Sequence, residues 1–230
     1  TVLAKWAETD DNRGDVYFES VTGSSLTFTQ NLFDFVANSV KWKLCDFSNY
    51  RTGTTDNALV QVNNPGVGEF QVTDSIVSAT ITAVGAVYRV YGKSALIYGG
   101  TFSDIHVPIL AATVTDQVYF FGVVIQQVSS VLYLEQGTPP QYVTFEGLTI
   151  SDVTCPTLYT SCFLSTAGSV DYPTAFYWGQ NTVTNVMGDP AITSSLLSVG
   201  SNSIKITGGS TFDVSVIPLI VDLSAPTLIT

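Results

Sequence analysis

Apolar and polar residues alternate along most of this chain, and β-branched and aromatic residues fill many of the apolar positions. Alternation with a period of two is typical of β-strands that bury one face, whereas an amphipathic helix repeats its apolar residues every three or four positions. Few segments of the chain show the helical spacing. The pattern therefore predicts an all-β protein built from many short strands.

The strands recur as an internal repeat. Each clear copy has an apolar strand, a glycine, a second strand and then a polar residue, usually Asp, Asn or Gln, before further apolar residues. Four clear copies and three looser ones begin at residues 96, 119, 143 and 176 and at residues 40, 70 and 204. Copies start roughly 23 to 32 residues apart, and the extra length falls in segments rich in Gly, Pro, Ser and Asn. Insertions therefore lie in loops.

A repeat of three short strands without a crossover helix predicts a right-handed parallel β-helix, a solenoid in which each coil adds one strand to each of three sheets. We expect about seven or eight coils over residues 25–230, after an N-terminal arm with an acidic loop over residues 1–24. Polar residues at one bend are expected to stack as a structural ladder and to hydrogen-bond with neighbouring backbone groups. They are Asn49, Asp104, Gln127, Asp152 and Asn185.

In this repeat the chain resembles the right-handed parallel β-helix proteins of the pectin-lyase-like superfamily, of the non-catalytic surface or structural kind. The resemblance covers roughly residues 25–230 and is one of pattern, without a catalytic motif, so it implies a fold more than an activity. The alternative fold is a β-sandwich or jelly roll, whose strands also alternate. A sandwich does not predict the recurring order of glycine and polar bend residue.

The charge and the length of the apolar runs argue against two kinds of partner, nucleic acids and membranes. The chain has 8 Lys and Arg against 19 Asp and Glu, a formal net charge of −11, and no Lys or Arg lies between Lys93 and Lys205. Proteins bind a phosphate backbone through clustered basic side chains, so we expect no nucleic acid partner. No uncharged apolar run reaches the roughly 18 residues of a membrane-spanning helix, so we expect no membrane insertion.

Residues that could support catalysis are sparse. The single histidine, His106, has no Gly-x-Ser-x-Gly segment to activate, and the central chain lacks the Lys or Arg base of a polysaccharide lyase. Asp104 and Asp152, two coils apart, are retained as a candidate carboxylate pair of an inverting glycosidase, although the ladder explains both positions without catalysis. We predict no enzyme, no cofactor and no metal site. The acidic run at 8–15 is interpreted as a solvated loop rather than a calcium site.

The three cysteines bear on the compartment. Cys155 and Cys162 are predicted to form a loop disulfide, with two buried free thiols as the alternative, and Cys45 is then left unpaired and buried. Together with a composition rich in Ser and Thr, this favours an extracellular or cell-surface location.

The first functional hypothesis is a non-enzymatic extracellular structural or surface protein, a rod-like subunit of a filament, stalk or adhesive layer. The repeat continues to Leu228 and Ile229, and the end of a β-helix exposes unpaired backbone groups. A strand containing Val2, Leu3 and Trp6 is expected to cover that end in another copy, which gives head-to-tail self-association.

The alternative hypothesis is a carbohydrate-binding or polysaccharide-degrading β-helix protein, either a lyase or an inverting glycosidase. Its sugar groove would be lined by four aromatic residues, Tyr119, Tyr133, Tyr177 and Trp178. Aromatic residues that alternate in a strand are also common in protein cores. The discriminating feature is therefore an exposed row of rings with carboxylates on one outward face.

Overall fold

A computed structural model describes residues 4–7, 14–52, 57–79, 85–135, 139–153, 163–166, 173–185, 195–199, 203–206, 211–213 and 219–223. Within these ranges the regular elements are strands, and no helix occurs. The strands are β1 (Ala4–Ala7), β2 (Asp15–Glu19), β3 (Thr22–Ser24), β4 (Thr27–Phe28), β5 (Phe33–Val36), β6 (Ser39–Lys43), β7 (Asp46–Ser48), β8 (Arg51–Thr52), β9 (Ala58–Asn63), β10 (Glu69–Thr73), β11 (Ile76–Ser78), β12 (Ala86–Tyr98), β13 (Thr101–Phe121), β14 (Val124–Leu134), β15 (Tyr142–Glu146), β16 (Thr149–Ser151), β17 (Leu164–Thr166), β18 (Ala175–Gly179), β19 (Thr182–Thr184), β20 (Ser195–Val199), β21 (Ser203–Ile206), β22 (Thr211–Asp213) and β23 (Leu219–Leu223).

Every pairing between these strands is parallel. Most pairings form three ladders, which we call sheets 1, 2 and 3, and β4 pairs separately with β8. Sheet 1 stacks β2, β6, β10, the end of β12, the end of β13, β15, β18 and β21. Sheet 2 stacks β3, β7, β11, the starts of β13 and β14, β16, β19 and β22. Sheet 3 stacks β1, β5, β9, the start of β12, the middle of β13, the end of β14 and β17, and β20 pairs with β23.

The chain passes through sheets 1, 2 and 3 in turn and then begins the next layer, as β6, β7 and β9 do. We call one such set of three strands a layer and name it by its strand in sheet 1. The longest strand, β13, bends around two corners and contributes to all three sheets. The fold is therefore a parallel β-helix, as predicted, and not a sandwich of antiparallel sheets.

The stack begins earlier than the sequence indicated. Residues 1–24 were expected to be an arm and a loop, but β2 and β3 pair in register with β6 and β7, and β1 pairs with β5. The reason is that Val16 and Phe18 alternate with polar residues and pack against the core. The solenoid therefore includes strands before residue 25. Most of the acidic run, residues 8–13, lies outside the described residues.

The core fills the space between the three sheets. Phe145 shows the packing: its ring lies 5.2 Å from Phe120 in the layer below and 5.7 Å from Trp178 in the layer above, measured between ring centroids. Ile105 pairs with Val128, and both are buried, as is Val153. Burial of apolar area at roughly 25 cal/mol per Å² is the main force that holds the layers together.

Two corners of each layer use a left-handed backbone conformation. At the first corner, between sheets 1 and 2, φ lies between 47° and 65° for Ser20, Leu44, Asp74, Gly99, Gly122, Gly147 and Gln180. At the second corner, after sheet 2, φ lies between 50° and 55° for Ser25, Asn49, Ala79, Asp104, Gln127, Asp152 and Asn185. The same turn in successive layers keeps the strands in register.

Backbone groups at these corners bond between layers. The amide of Leu44 donates to the carbonyl of Thr73 at 2.9 Å, and the amide of Asn49 donates to the carbonyl of Ser78 at 3.1 Å. At the corners, these backbone amides thus find hydrogen-bond acceptors in the next layer.

Candidate functional site

The structure places the five predicted ladder residues, Asn49, Asp104, Gln127, Asp152 and Asn185, at the second corner. Asp104 lies between Ser103 and Ile105, which pair with the residues on either side of Gln127. Asn and Asp tolerate the left-handed conformation better than most residues, which gives a backbone reason for their recurrence.

The side chains at the second corner also contact one another. The Nδ2 of Asn185 donates a hydrogen bond to the Oδ1 of Asp152. His106 lies with its Nε2 at 3.3 Å from the Oδ1 of Asp104, and both side chains are exposed. The retained pair, Asp104 and Asp152, is separated by the layer that carries Gln127.

The four aromatic residues expected in a sugar groove do not share one surface. Trp178 is fully buried and contacts Phe145 and Phe163 in the core. Tyr133 faces outward from sheet 3, whereas Tyr119 and Tyr177 face outward from sheet 1. Because side chains alternate along a strand, Trp178 and its neighbour Tyr177 must lie on opposite faces.

Tyr119 belongs to a cluster of three rings on sheet 1, which we call the aromatic platform: Tyr98, Tyr119 and Phe121. Tyr98 and Tyr119 meet edge to face with centroids 5.5 Å apart, and Tyr119 and Phe121 are stacked at 5.9 Å. Tyr98 and Phe121 are also register partners in adjacent strands. The side chain of Phe121 is 45% exposed, so the platform presents an apolar ring to solvent.

A carboxylate lies at the edge of the platform. Glu146 is the register partner of Phe121 in the next layer, and its Oε2 accepts a hydrogen bond from the Tyr119 hydroxyl at 3.0 Å. Burial and this hydrogen bond raise the pKa of Tyr119 to about 12, because ionised Tyr119 would lose the hydrogen bond and face the carboxylate. The neutral tyrosine therefore holds Glu146 in place.

The layer of β15 continues this surface with polar and aromatic groups. Thr144 lies between Tyr119 and Tyr177 in the same outward column, and Tyr142, 52% exposed, lies on the same strand. The Nζ of Lys205 lies 5.7 Å from the centroid of the Tyr177 ring. This face therefore already places an ammonium group against an aromatic ring.

The first corner borders the platform. Gly122 follows Phe121, and Gly147 follows Glu146, so the two glycines lie beside the ring and the carboxylate in adjacent layers. Within the part of the chain that the structure describes, a side chain at Gly122 would meet no atom within 4 Å, and one at Gly147 would make only ordinary contacts with the backbone of Gly122. We call these two residues the glycine shelf.

Sequence reasoning missed Tyr98, Phe121, Tyr142 and Glu146. The run Tyr119-Phe120-Phe121 contained a signal, since three consecutive aromatic residues in a strand place at least one ring on each face. Phe120 is buried, so its two neighbours face outward.

Sheet 2 has a different outward surface. Hydroxyl residues recur there at register positions in successive layers, interrupted by Asp46, Ile76, Val124 and Gln126. The outward hydroxyl residues are Thr22, Ser24, Ser48, Ser78, Thr101, Ser103, Thr149, Ser151, Thr182 and Thr184. This face resembles the Ser- and Thr-rich surface expected of a structural rod.

The remaining predictions concern the cysteines, a metal site and the membrane. Cys155 and Cys162 lie outside the described residues, so the loop disulfide stays a prediction, whereas Cys45 is a buried free thiol. Among the described residues, no group of three or more His, Cys, Asp or Glu side chains is arranged to hold a metal ion. The same residues contain no helix that is long and apolar enough to cross a membrane.

No protein-family model, curated protein or solved structure matches this chain.

Proposed function

We propose that this protein is a non-enzymatic structural or surface β-helix protein, located outside the cell or on its surface, and that it contributes to a filament, stalk or adhesive layer. The observation that carries the proposal is the parallel stack of the described strands, whose sheet 2 presents hydroxyl side chains in most of its layers. We also propose that it is a right-handed β-helix of the pectin-lyase-like superfamily.

Head-to-tail assembly is part of this proposal. Among the described strands, β1, β2 and β3 each pair on one side only, and in this proposal another copy of the chain pairs with their other side. Trp6 lies on β1, whereas Val2, Leu3, Leu228 and Ile229 lie outside the described residues.

Electron microscopy of concentrated protein, together with light scattering over a range of concentrations, tests the assembly. We expect rods or fibres whose length increases with concentration, and a Trp6→Asp variant that stays short. A wild-type protein that remains monomeric at high concentration would contradict head-to-tail assembly.

A second candidate function is carbohydrate binding without cleavage, and the aromatic platform beside Glu146 is the observation that favours it. Sugar rings have apolar C–H faces and polar edges, and sites that take such ligands combine apolar surface with a few placed polar groups. Depletion from solution by insoluble polysaccharides measures binding, and chromatography of the supernatant shows whether sugar is released. Depletion without release is the expected result.

A further inference from the structure

The glycine shelf is not required by the backbone turn. The first corner has the same left-handed conformation in other layers with Ser20, Leu44 and Gln180, at φ of 52° to 58°. Contacts with the described residues do not require the shelf either, because none of their atoms would lie within 4 Å of a Cβ at Gly122. The shelf therefore leaves room beside the platform that side chains fill in other layers.

The groups around this space favour a cation. Aromatic faces attract ammonium groups, and the rings of the platform lie beside the Glu146 carboxylate. The formal net charge of −11 adds a long-range attraction for cations and repels acidic polymers. On the same face, the Lys205 ammonium already lies against Tyr177.

We propose that Phe121, Glu146 and the glycine shelf form a subsite for an amino-sugar unit of a cationic glycan. The sugar ring packs on Phe121 over the shelf, and its ammonium group bonds to Glu146. Tyr119 is a positioning residue, because its hydroxyl fixes the carboxylate. This inference rests on the second candidate function and specifies its ligand class.

The charge of the ligand can be varied without changing its sugar backbone. Isothermal titration calorimetry at low ionic strength compares glucosamine oligomers with N-acetylglucosamine oligomers, in which acetylation removes the ammonium charge. We expect the glucosamine oligomers to bind at least roughly tenfold more tightly, and added salt to reduce the difference.

Matched variants locate the site. Glu146→Gln should abolish the preference for the charged oligomer, whereas Glu19→Gln, which removes the same charge from the same sheet in the layer of β2, should retain it. Gly122→Asn should weaken binding of the glucosamine oligomer about tenfold or more, because the side chain fills the shelf. Gly66→Asn is its control, since Gly66 also has positive φ and open space around its Cβ but lies in another turn.

Thermal unfolding of Gly122→Asn, followed by circular dichroism, checks that the variant is folded, and Phe121→Ala provides a second probe of the subsite.

Equal binding of both oligomers would refute the ammonium subsite and leave carbohydrate binding standing. Tight binding that none of the subsite variants changes would have the same meaning. If neither oligomer binds, the carbohydrate function fails as well. Binding of lysine oligomers alone would overturn the proposal in favour of a basic peptide ligand.

Discussion

The layers of β2 and β6 and the layers of β13 and β15 share one backbone design but carry different outward chemistry. On sheet 1, the first pair presents an exposed ion pair, with the Lys43 Nζ at 2.9 Å from the Glu19 Oε1. At the same register positions, the second pair presents Phe121 and Glu146. The outward side chains of the two regions therefore differ, whereas the strands stack in the same way.

The inward positions of the two regions are alike. Phe18 and Trp42 pack with centroids 5.2 Å apart in the first pair of layers, and Phe120 and Phe145 are also 5.2 Å apart in the second. In both pairs of layers the inward face specifies the fold, while the outward face is available for function.

The largest expected effect is a difference in the free energy of unfolding between substitutions at two neighbouring residues. Phe120→Ala should lower the free energy of unfolding by about 3–5 kcal/mol, because it leaves a cavity among buried rings. Phe121→Ala removes a half-exposed ring and should lower it by about 1 kcal/mol or less. Urea denaturation measures both values. Equal losses would mean that the inward and outward assignment in this strand is wrong.

A second prediction contrasts a buried ion pair with the exposed one. The Arg89 Nη2 lies 3.0 Å from the Glu135 Oε1, and both side chains are largely buried, with the small Ala111 in the intervening layer. Arg89→Met should lower the free energy of unfolding by about 3–5 kcal/mol, because it leaves a buried carboxylate without this partner. Adding Glu135→Leu should recover most of the loss.

The control for this prediction is Lys43→Met, which breaks the exposed pair with Glu19 and should have a much smaller, salt-dependent effect. If the double variant Arg89→Met with Glu135→Leu is as unstable as Arg89→Met alone, the unpaired carboxylate is not the cause of the lost stability.

A third prediction concerns the buried residue that follows each first-corner turn. In the layer of β18 this residue is Asn181, whose Oδ1 accepts from the Leu148 amide at 2.8 Å and whose Nδ2 donates to the Phe145 carbonyl at 2.9 Å. Asn181→Ala should cost about 2–3 kcal/mol, because two buried backbone groups lose these partners. Ser75→Ala should cost less. The Cys45 amide loses its bond to the Ser75 hydroxyl, but the Thr73 carbonyl, to which that hydroxyl donates, also accepts from the Leu44 amide. Urea denaturation of the two variants tests this order.

The smallest expected effect concerns pH. Burial raises the pKa of Tyr50 and Tyr88 above the ordinary value of 10.0, so both keep their protons when the unfolded chain loses its own. These tyrosines therefore leave stability unchanged below about pH 10, and stability should fall as pH rises above it, through about pH 12, where Tyr119 also titrates. Unfolding experiments at about pH 9 and about pH 11 measure the difference.

Tyr50→Phe should reduce this alkaline loss. It should also raise stability near neutral pH by about 1 kcal/mol, because the buried Tyr50 hydroxyl has no hydrogen-bond partner among the described residues. A variant that is less stable near neutral pH would show that this hydroxyl is bonded.

The sequence alone predicted the stacked coils because the repeat is local: each glycine and each polar bend residue recurs within a few tens of residues. It placed Asp104, Gln127 and Asp152 at a common bend for the same reason. It did not predict that β1, β2 and β3 join the stack, because the first layers lack the glycine at the first corner and repeat less clearly.

Contacts between layers were harder to predict. The platform depends on which residue of one strand faces which residue of the next, and a shift of one position would turn Phe121 inward. The pair of Arg89 and Glu135 crosses an intervening layer and carries no local signal. The carbohydrate hypothesis places Trp178 in a groove, but Trp178 lies two residues after the buried Phe176 in the same strand and therefore faces inward.

Disulfide trapping tests the central claim, the in-register stack, most directly. Parallel neighbours lie about 4.8 Å apart, within the Cα separation that a disulfide accepts, whereas residues two layers apart do not. In a chain with the native cysteines replaced by serine, Ser103→Cys with Gln126→Cys should oxidise to an internal disulfide, and so should Gln126→Cys with Ser151→Cys. Ser103→Cys with Ser151→Cys should remain reduced. Mass spectrometry of unreduced peptides reads the result, and a disulfide in the third variant but not in the first two would contradict the stack.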